Sequence, residues 1–592
     1  MNIKSHQPGS KQPRNPVRIA SSRLGLYRQR LLWTRLVCVF SGCAGLMGAT
    51  AECGEDLRSL VGADVGLCIE LNQLDSQAAV LNDGRLVKRF RAWPVYRKWL
   101  SSEDYKRFNI GLQLVRTLTG KPAWQVAKEL FGRQAILAVY RLGRDRPIGV
   151  LLTTLRNGEE LDAMLDVISR MDPRSTESRT YRGEEYQCRL QQNPDTGQAP
   201  QFYLRLGKQV AFSDDERAIQ RVIDLHVRKL PGGGERRSLL QQPLYTTMAN
   251  GLRDQALLNV FVNLRIWNDA QRPSNPVWDS VDAVFAGVRV TDSVVVEAVG
   301  HLAKEPVPGW SEFCRQVSGV PEFLALAPRS SLVVAAGRLP GPFLATAIAA
   351  LVKHRPHRDL QVLRSLMAGL LLQWDPIDGL LPALGPNWGA YITPATPAAG
   401  WPVTGVAAVE LSELGQVDDR LPALQTALDN ALLTGLRFVG TDRQRRESEP
   451  TLHREIGDAT TLRWLQGFAG LTPAYALRGD RLVVGGDTAH VRRAISETPR
   501  DAAPVGLPRA LLTEFGQVVY INIAGIRHLI STEGERLSAM LRVPNGSDEA
   551  QRRQRLVEAL SLLDAAFVGV RCEHETVRIV VGAVFGRADQ SD

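Results

Sequence analysis

One alternation of apolar residues with small or polar residues occurs twice in the chain. It covers residues 282–300 (DAVFAGVRVTDSVVVEAVG) and residues 564–582 (DAAFVGVRCEHETVRIVVG). Apolar residues at every second position predict a β-strand that buries one face. Each copy then turns and returns as a second, Val-rich run. We therefore predict two equivalent β-hairpins, each of which closes its own half of the chain.

The two hairpins keep their large side chains in the same register. In the first copy we expect Phe285 and Val288 on the buried face. Arg289 lies an even number of residues from Phe285, so we expect it on the face of the Phe ring. The second copy carries Phe567, Val570 and Arg571 at the same positions. An arginine repeated in a strand indicates a repeated ion pair or a shared surface rather than ligand binding.

Four further phrases recur in both halves and in the same order. They pair 65–74 with 332–341, 130–139 with 383–392, 203–223 with 475–495, and 259–267 with 518–526. The offset between partners drifts from about 250 to 282 residues, as expected when loops gain and lose residues. Chance similarity would not keep five phrases in order, so the sequence predicts an old internal duplication.

The phrase at 203–223 and its counterpart predict strand, glycine turn, strand and helix. In the first half Ser213 and Glu216 have the spacing of a capping box at the helix start, and in the second half Asp487 can cap the helix. Amphipathic helices are predicted elsewhere, for example at 158–171. Strands and helices alternate irregularly, which predicts the α+β class with a mainly antiparallel sheet.

The first 51 residues predict a targeting segment, because they hold eight basic residues and no acidic one. Residues 36–48 form a short, uncharged apolar run. Residues 49–51 (ATA) supply the small side chains of a signal-peptidase site, so we predict cleavage before Glu52. Two alternatives stay open: an uncleaved membrane anchor, and a lipoprotein signal formed by FSGC at 40–43.

The distribution of charge limits the expected partners. The formal net charge is +10, but without the eight basic residues of the leader the chain holds 64 basic and 62 acidic residues. Because phosphate binding needs a basic patch, we predict no nucleic-acid partner for residues 52–592. The expected partner is an unknown protein or a component of the cell envelope. Membrane contact is expected only through the leader, if it is uncleaved.

Five cysteines follow the predicted cleavage site, so at least one has no partner within the chain. They are Cys53, Cys68, Cys188, Cys314 and Cys572. No CxxC spacing occurs among them, and buried single thiols are the simplest interpretation. A Cys53–Cys68 bridge in an oxidising compartment is the alternative.

The sequence contains no phosphate-binding loop and no HExxH, GxGxxG or GxSxG motif. The best metal candidate is the set His354, His357 and Asp359. However, Pro356 interrupts a helix there, and the neighbouring lysine and arginines would repel a cation. We predict a basic surface loop at this position and no metal site.

Two other motifs have structural interpretations. Asp214, Asp215 and Glu216 occupy the first turn of a predicted helix, where carboxylates favour the helix dipole. The RGD sequence at 478–480 is predicted to be the turn between two strands. We therefore predict no catalytic, cofactor-binding or metal-binding residue, and no cofactor.

The order of the predicted elements resembles that of a known group of proteins. A signal-like leader, followed by two copies of strand, helices, strand pair, helix and hairpin, resembles a family of large bacterial extracytoplasmic proteins of unknown function. The resemblance covers most of residues 60–588, and ALRGDRLVVGGDTAHVRRAI at 476–495 is its most specific part. It implies an extracytoplasmic location and supplies no catalytic residue.

The predicted organisation has five parts. They are a signal peptide or anchor (1–51), a first α+β repeat (52–303), a linker marked by prolines (304–324), a second α+β repeat (325–588) and a tail (589–592). The sequence favours a secreted or periplasmic, non-enzymatic protein that offers a binding or scaffold surface. The alternatives are a hydrolase or transferase with its site between the repeats, and an assembly protein anchored by the leader. Polar residues that are present in one half, absent from its copy and converge on the cleft between the repeats would favour the enzyme.

Overall fold

The structure of the protein is a computed structural model. It describes residues 56–72, 85–131, 133–141, 147–155, 176–189, 200–227, 237–250, 256–267, 280–291, 293–302, 310–345, 375–395, 401–411, 420–439, 451–457, 460–466, 472–496, 514–540, 547–573 and 575–585, with a few isolated positions. The predicted leader and its cleavage site lie outside these residues.

Twenty strands form one sheet, in which every pairing between the described strands is antiparallel. The first half holds β1 (Leu67–Asn72), β2 (Gln134–Tyr140), β3 (Ile148–Thr154), β4 (Thr176–Tyr181), β5 (Glu184–Arg189), β6 (Gln201–Leu206), β7 (Gln209–Ser213), β8 (Leu258–Asn263), β9 (Val281–Val290) and β10 (Ser293–Leu302). The second half holds β11 (Val333–Arg338), β12 (Leu384–Pro394), β13 (Val403–Leu411), β14 (Thr451–Ile456), β15 (Thr460–Gln466), β16 (Ala474–Arg478), β17 (Arg481–Gly485), β18 (Gln517–Asn522), β19 (Ala565–Cys572) and β20 (Thr576–Val584).

The strands of the two halves follow the same order across the sheet. The first half runs β4-β5-β6-β7-β3-β2-β1-β8-β9-β10. The second half runs β14-β15-β16-β17-β13-β12-β11-β18-β19-β20. The last strands of the two halves, β10 and β20, pair with each other from Ser293 opposite Val584 to His301 opposite Thr576. The two hairpins thus join the halves into one continuous sheet.

Helices occupy the connections between strands, which confirms the α+β class. They are α1 (Arg85–Ala92), α2 (Pro94–Leu100), α3 (Glu103–Thr119), α4 (Ala123–Phe131), α5 (Glu216–Val227), α6 (Pro243–Ala249), α7 (Leu264–Trp267), α8 (Trp310–Val317), α9 (Leu381–Ala383), α10 (Arg420–Val439), α11 (Thr488–Ser496), α12 (Ile523–Met540) and α13 (Ser547–Leu560). Short 3-10 segments lie at Leu57–Leu60, Leu239–Gln241 and Glu322–Leu326, and a π-helical turn at Pro376–Leu380. None of the helices in the described part of the chain has the length and apolarity needed to cross a bilayer.

One face of the sheet, here called the closed face, carries the two largest clusters of buried side chains. In the first half α5 packs on this face because Ile219, Val222 and Ile223 recur at helical spacing and are buried. In the second half Val491 and Ile495 of α11 do the same. The core of each half is therefore a helix pressed against the sheet.

Both predicted hairpins are present, but one predicted pair of core positions is wrong. Phe285 and Phe567 lie on the closed face and are 0% and 5% exposed. Val288 and Val570 are only partly buried. Each lies three residues from its Phe, and residues an odd number apart point to opposite faces of a strand.

The predicted capping box at the start of α5 is also wrong. The carboxylate of Asp215 accepts the backbone N–H of Arg217 at 2.9 Å and caps the helix. Ser213 instead accepts the N–H of Asp215 and donates to the carbonyl of Gly149, so its hydroxyl is used before the helix begins. In the second half the expected cap is confirmed, because Asp487 accepts an N–H of the first turn of α11.

The segment predicted as a linker, 304–324, contains a packed helix. In α8, Phe313 and Cys314 are buried against Cys572 of β19. The segment therefore contributes to the core as well as connecting the halves.

Candidate functional site

The first half encloses a polar cluster that has no counterpart in the second half. Glu70 on β1 lies opposite Asn259 on β8, and Tyr245 of α6 donates a hydrogen bond to Glu70. All three residues are buried. The corresponding positions of β11 and β18 hold Ala336 opposite Val518. This asymmetry between the halves lies on β1 and β8, away from the β10–β20 junction, so it does not meet the criterion for an enzyme site between them.

The electrostatics of this cluster indicate a structural role. Burial raises the pKa of the Tyr245 phenol, and the charge of Glu70 raises it further, so the phenol stays protonated and keeps donating to the carboxylate. Arg58, which is itself buried, lies beside Tyr245 and binds Asp56 with 2.7 Å between Nε and Oδ1. Glu70, Tyr245 and Arg58 are each at most 5% exposed, which is typical of polar groups that hold a core together.

A second buried carboxylate lies at the seam where β10 meets β20. Glu297 is almost fully buried on the closed face and accepts a hydrogen bond from Arg289 at 2.9 Å. Arg578 of β20 also donates to it, which links the two halves through one carboxylate. Arg571, the sequence counterpart of Arg289, pairs with Glu573 instead. Both arginines form ion pairs, but the pair is not repeated, because Arg289 binds Glu297 within the sheet and Arg571 binds Glu573 just after β19.

The opposite face of the sheet, here called the open face, is apolar across its nine central strands. Two rows of directly opposed residues define it. The first row is Ala335, Val519, Val568, Val581, Val296, Val288, Leu258, Leu71 and Ala135, and the second is Gly337, Gln517, Val570, Ile579, Ala298, Ala286, Val260, Ile69 and Leu137. Gln517 is the one polar residue in these two rows. With strands about 4.8 Å apart, the rows extend for roughly 40 Å.

The middle of the open face is exposed to solvent. Along β20, Ile579 is 39% exposed, Val580 7% and Val581 45%, so exposure alternates with the side-chain direction. On β18, Val519 is 36% exposed while Val518 and Tyr520 are buried. Large apolar patches that stay exposed mark sites where a protein binds something apolar.

Helices cover other parts of the open face. In the first half α4 reaches β3, where the Thr153 hydroxyl donates to the carbonyl of Leu130. In the second half α10 packs on β16 and β17 through Leu424 and Leu428. At the seam α8 covers Val570, Cys572 and Val577. The exposed valines thus lie between covered regions.

The helices α1–α3 form a second unusual surface, and sequence analysis missed it. Residues 85–119 hold nine basic and two acidic residues, together with six aromatic ones. No side chain described in α1–α3 is buried. The signal was present in the sequence, but a charge balance taken over 52–592 averages it away.

The predicted acidic cluster is built into the start of α5. A hydrogen bond from Arg217 lowers the pKa of Asp215. The Tyr186 hydroxyl at 2.5 Å and the Arg179 guanidinium at 2.8 Å lower the pKa of Glu216. Both carboxylates therefore stay ionised and serve as a cap and an ion-pair partner.

Other predicted features have mixed outcomes. The RGD sequence at 478–480 does form the turn between β16 and β17, with Gly479 at a φ of 56°. Cys68, Cys188, Cys314 and Cys572 are buried free thiols, as the simplest interpretation predicted. Cys53 and the metal candidate His354, His357 and Asp359 lie outside the described residues. Within the described ranges, no three His, Cys, Asp or Glu side chains are grouped as a metal site would need.

Comparison with known proteins gives little. No family model and no curated protein matches the chain. A solved structure of the protein TP0453, in its crystal form III, is similar over 45% of this chain and 88% of its own, with 9% sequence identity and a TM-score of 0.22. At that score the similarity supports no statement about fold or function.

Proposed function

We propose that the chain is an extracytoplasmic, non-enzymatic binding protein made of two tandem α+β repeats. Its open face binds the hydrocarbon chain of a lipid-like ligand. The observation that carries the proposal is the exposed, uncharged middle of that face, centred on Val519, Ile579 and Val581. The predicted leader supports the location, and the resemblance to bacterial extracytoplasmic proteins agrees with it.

Three features support the two repeats. The strand order is the same in both halves. The glycines of the β6–β7 and β16–β17 turns, Gly207 and Gly479, both have positive φ values, 60° and 56°. An arginine just after the eighth strand of each half binds the aspartate at the start of the hairpin. The two pairs are Arg265 with Asp282, and Arg527 with Asp564.

The chemistry of the open face favours hydrocarbon over a protein partner. Protein interfaces are roughly 60% apolar and contain about one hydrogen bond per 100–200 Å². The two central rows offer one polar side chain, Gln517, and its amide already donates to the carbonyl of Arg338. A peptide would find few partners for its polar groups there, whereas an acyl chain needs none.

The alternative of an enzyme with its site between the repeats has less support. The halves meet through paired strands, and the buried carboxylate described on β10 and β20 is Glu297, which Arg289 and Arg578 hold in an ion pair. An open cleft of about 610 Å³ lies elsewhere, between α12 and α13, and is lined by side chains such as Glu533, Arg536 and Gln554. The cleft does hold hydroxyl groups beside carboxylates, but those of Ser531 and Thr532 donate to backbone carbonyls of their own helix.

Titration of the full chain with a fluorescent long-chain fatty acid tests the ligand. A carboxylate placed on the open face must be desolvated when the hydrocarbon binds, so Val581→Asp should weaken binding by at least about tenfold. The matched control is Ile456→Asp, because Ile456 on the outer strand β14 is 65% exposed and lies far from the nine central strands. Equal affinities of the wild type and Val581→Asp would refute the proposal.

The location has its own test. The N-terminus of the chain recovered from the expressing cell, read by mass spectrometry, should begin at Glu52. A chain that keeps residues 1–51 would support the anchored alternative instead.

A further inference from the structure

We propose that α1–α3 dock the protein on the surface of an anionic lipid bilayer. This inference uses different residues from the open face and does not depend on which ligand that face binds. It also departs from the sequence-based expectation that membrane contact runs only through the leader.

The first observation is an unbroken chain of aromatic rings along the three helices. Ring centroids are 4.6 Å apart between Phe90 and Tyr96, 5.7 Å between Tyr96 and Trp99, and 5.0 Å between Trp99 and Tyr105. Phe108 continues the chain at 6.2 Å from Trp99. In a soluble helical segment such a cluster would normally be the core, yet Trp99 is 40% exposed and Phe90 is equally so.

The second observation is the charge that surrounds these rings. Residues 85–119 carry a net charge of +7, from nine basic and two acidic residues. Lys88, Arg97 and Lys98 are exposed on α1 and α2. Helices with aromatic and aliphatic side chains beside many Lys and Arg residues lie in the interface of membranes that contain anionic lipids. The long basic side chains reach the headgroups while the rings sit at the acyl boundary.

The packing of the rings favours a bilayer over a nucleic acid. Binding of single strands needs free ring faces on which bases stack. Here the rings turn tilted or edge-on faces toward one another, with interplanar angles of 33° to 67° in the chain from Phe90 to Tyr105. The aliphatic side chains of Val95 and Ile110 are also 43% and 68% exposed, which suits hydrocarbon and contributes nothing to base stacking.

The attachment of these helices gives the docking surface a defined position. The Trp93 indole donates to the carbonyl of Glu558 on α13 at 3.0 Å. In addition, Nη1 of Arg89 lies 3.8 Å from Oδ1 of Asp564. α1–α4 leave the sheet after Asn72 and α12–α13 leave it after Asn522. The strand registers place both exits at the same end of the sheet. A bilayer held by α1–α3 would therefore lie at one end of the open face.

Flotation of the full chain with lipid vesicles tests the inference. The protein should float with vesicles of phosphatidylcholine mixed with phosphatidylglycerol and float poorly with phosphatidylcholine alone. Each basic side chain near an anionic surface strengthens binding by about fivefold, so Lys88→Gln/Arg97→Gln/Lys98→Gln should weaken it on the order of a hundredfold. Removing interfacial apolar contact with Trp99→Ala/Ile110→Ala should weaken it by about tenfold.

The matched control is Arg205→Gln/Arg454→Gln/Arg492→Gln, which removes three exposed charges from the outer strands and α11. It should leave flotation unchanged. If the wild type floats poorly with phosphatidylcholine alone and the Lys88/Arg97/Lys98 variant floats with the mixed vesicles as well as the wild type, the inference is wrong. It is also wrong if the wild type floats equally well with both kinds of vesicle, because the anionic lipid then contributes nothing. The inference is equally wrong if the wild type binds duplex DNA as tightly as the vesicles and the variant loses both affinities to the same extent. The surface would then be a general site for polyanions. Because these residues are exposed, circular dichroism should show an unchanged fold.

Discussion

The two faces of the central sheet are built from the same strands but differ in burial. Val580 is buried on the closed face, whereas its neighbours Ile579 and Val581 are among the most exposed large apolar side chains described. The residue types are alike, so hydrophobicity does not separate the faces. What separates them is the placement of helices: α5 and α11 press on the closed face, while the helices on the open face leave its middle uncovered.

This difference shows that the chain keeps apolar side chains in water at a position where polar ones would fit the strand equally well. Antiparallel sheets with one solvated face usually alternate apolar with polar residues. The central strands do not follow that pattern, since Val, Ile, Leu and Ala occupy both faces. On the proposed function, the binding of a hydrocarbon chain accounts for these exposed apolar side chains.

The largest expected loss of stability comes from truncating a large buried side chain on the closed face. Phe285→Ala should lower the free energy of unfolding by about 3–5 kcal/mol, because the ring is fully buried against Tyr245 and Phe261. Val581→Ala on the open face should cost less than about 1 kcal/mol. Chemical denaturation of both variants measures the contrast. Similar losses would mean that the open face is part of the core.

The seam on the closed face should give the next largest effect. Glu297→Gln leaves the guanidinium groups of Arg289 and Arg578 without their shared carboxylate, and we expect a loss of about 2 kcal/mol in unfolding free energy. The control is Glu573→Gln, which breaks the solvent-exposed pair with Arg571 and should cost at most about 0.5 kcal/mol. A seam that tolerates Glu297→Gln as well as this control would show that the junction of the halves does not depend on the carboxylate.

Alkaline titration examines the part of the open face that α8 covers. Burial raises the pKa of Cys572 from 9.0 to about 12. Because the folded pKa exceeds the unfolded one, the thiol stabilises the fold fully below pH 9, and this contribution is lost as the pH rises toward 12. The unfolding free energy of the wild type should therefore fall more steeply above pH 9 than that of Cys572→Ala. Parallel curves would show that α8 does not seal this end of the face.

Sequence reasoning succeeded where one local pattern fixes the structure. Alternation placed both hairpins within a few residues and identified Phe285 and Phe567 as core. It failed at Val288, where apolar character was taken for burial although the spacing from Phe285 is odd. It also failed to pair β10 with β20, since edge pairing depends on backbone hydrogen bonds that carry no side-chain signature.

The site was less accessible from sequence than the fold. The residue types alone do not identify the open face, because both faces carry valines. Only the positions of the helices show which valines are covered and which are exposed. Candidates chosen by chemistry, such as Asp215 and Glu216, proved to be a cap and an ion-pair partner. The polar pair of Glu70 and Asn259 lies in strands that read as apolar, so its asymmetry becomes visible only when the strand registers are aligned.

The smallest expected effect gives the sharpest comparison, because it uses two adjacent valines and the same substitution. Val→Thr replaces a methyl group with a hydroxyl of nearly the same size, so packing volume hardly changes. At Val580 the new hydroxyl lies in the core without a hydrogen-bond partner. Because an unsatisfied buried hydroxyl is costly, we expect a loss of about 1–3 kcal/mol in unfolding free energy. At Val581 the hydroxyl faces water, and the unfolding free energy should change by no more than about 0.5 kcal/mol.

Val581→Thr should nevertheless weaken binding of the fluorescent fatty acid, because the hydroxyl loses its water when the hydrocarbon covers it. Val580→Thr, measured under conditions where it is folded, should leave that affinity unchanged. If Val581→Thr proves the more destabilising of the two, the assignment of the two faces is reversed.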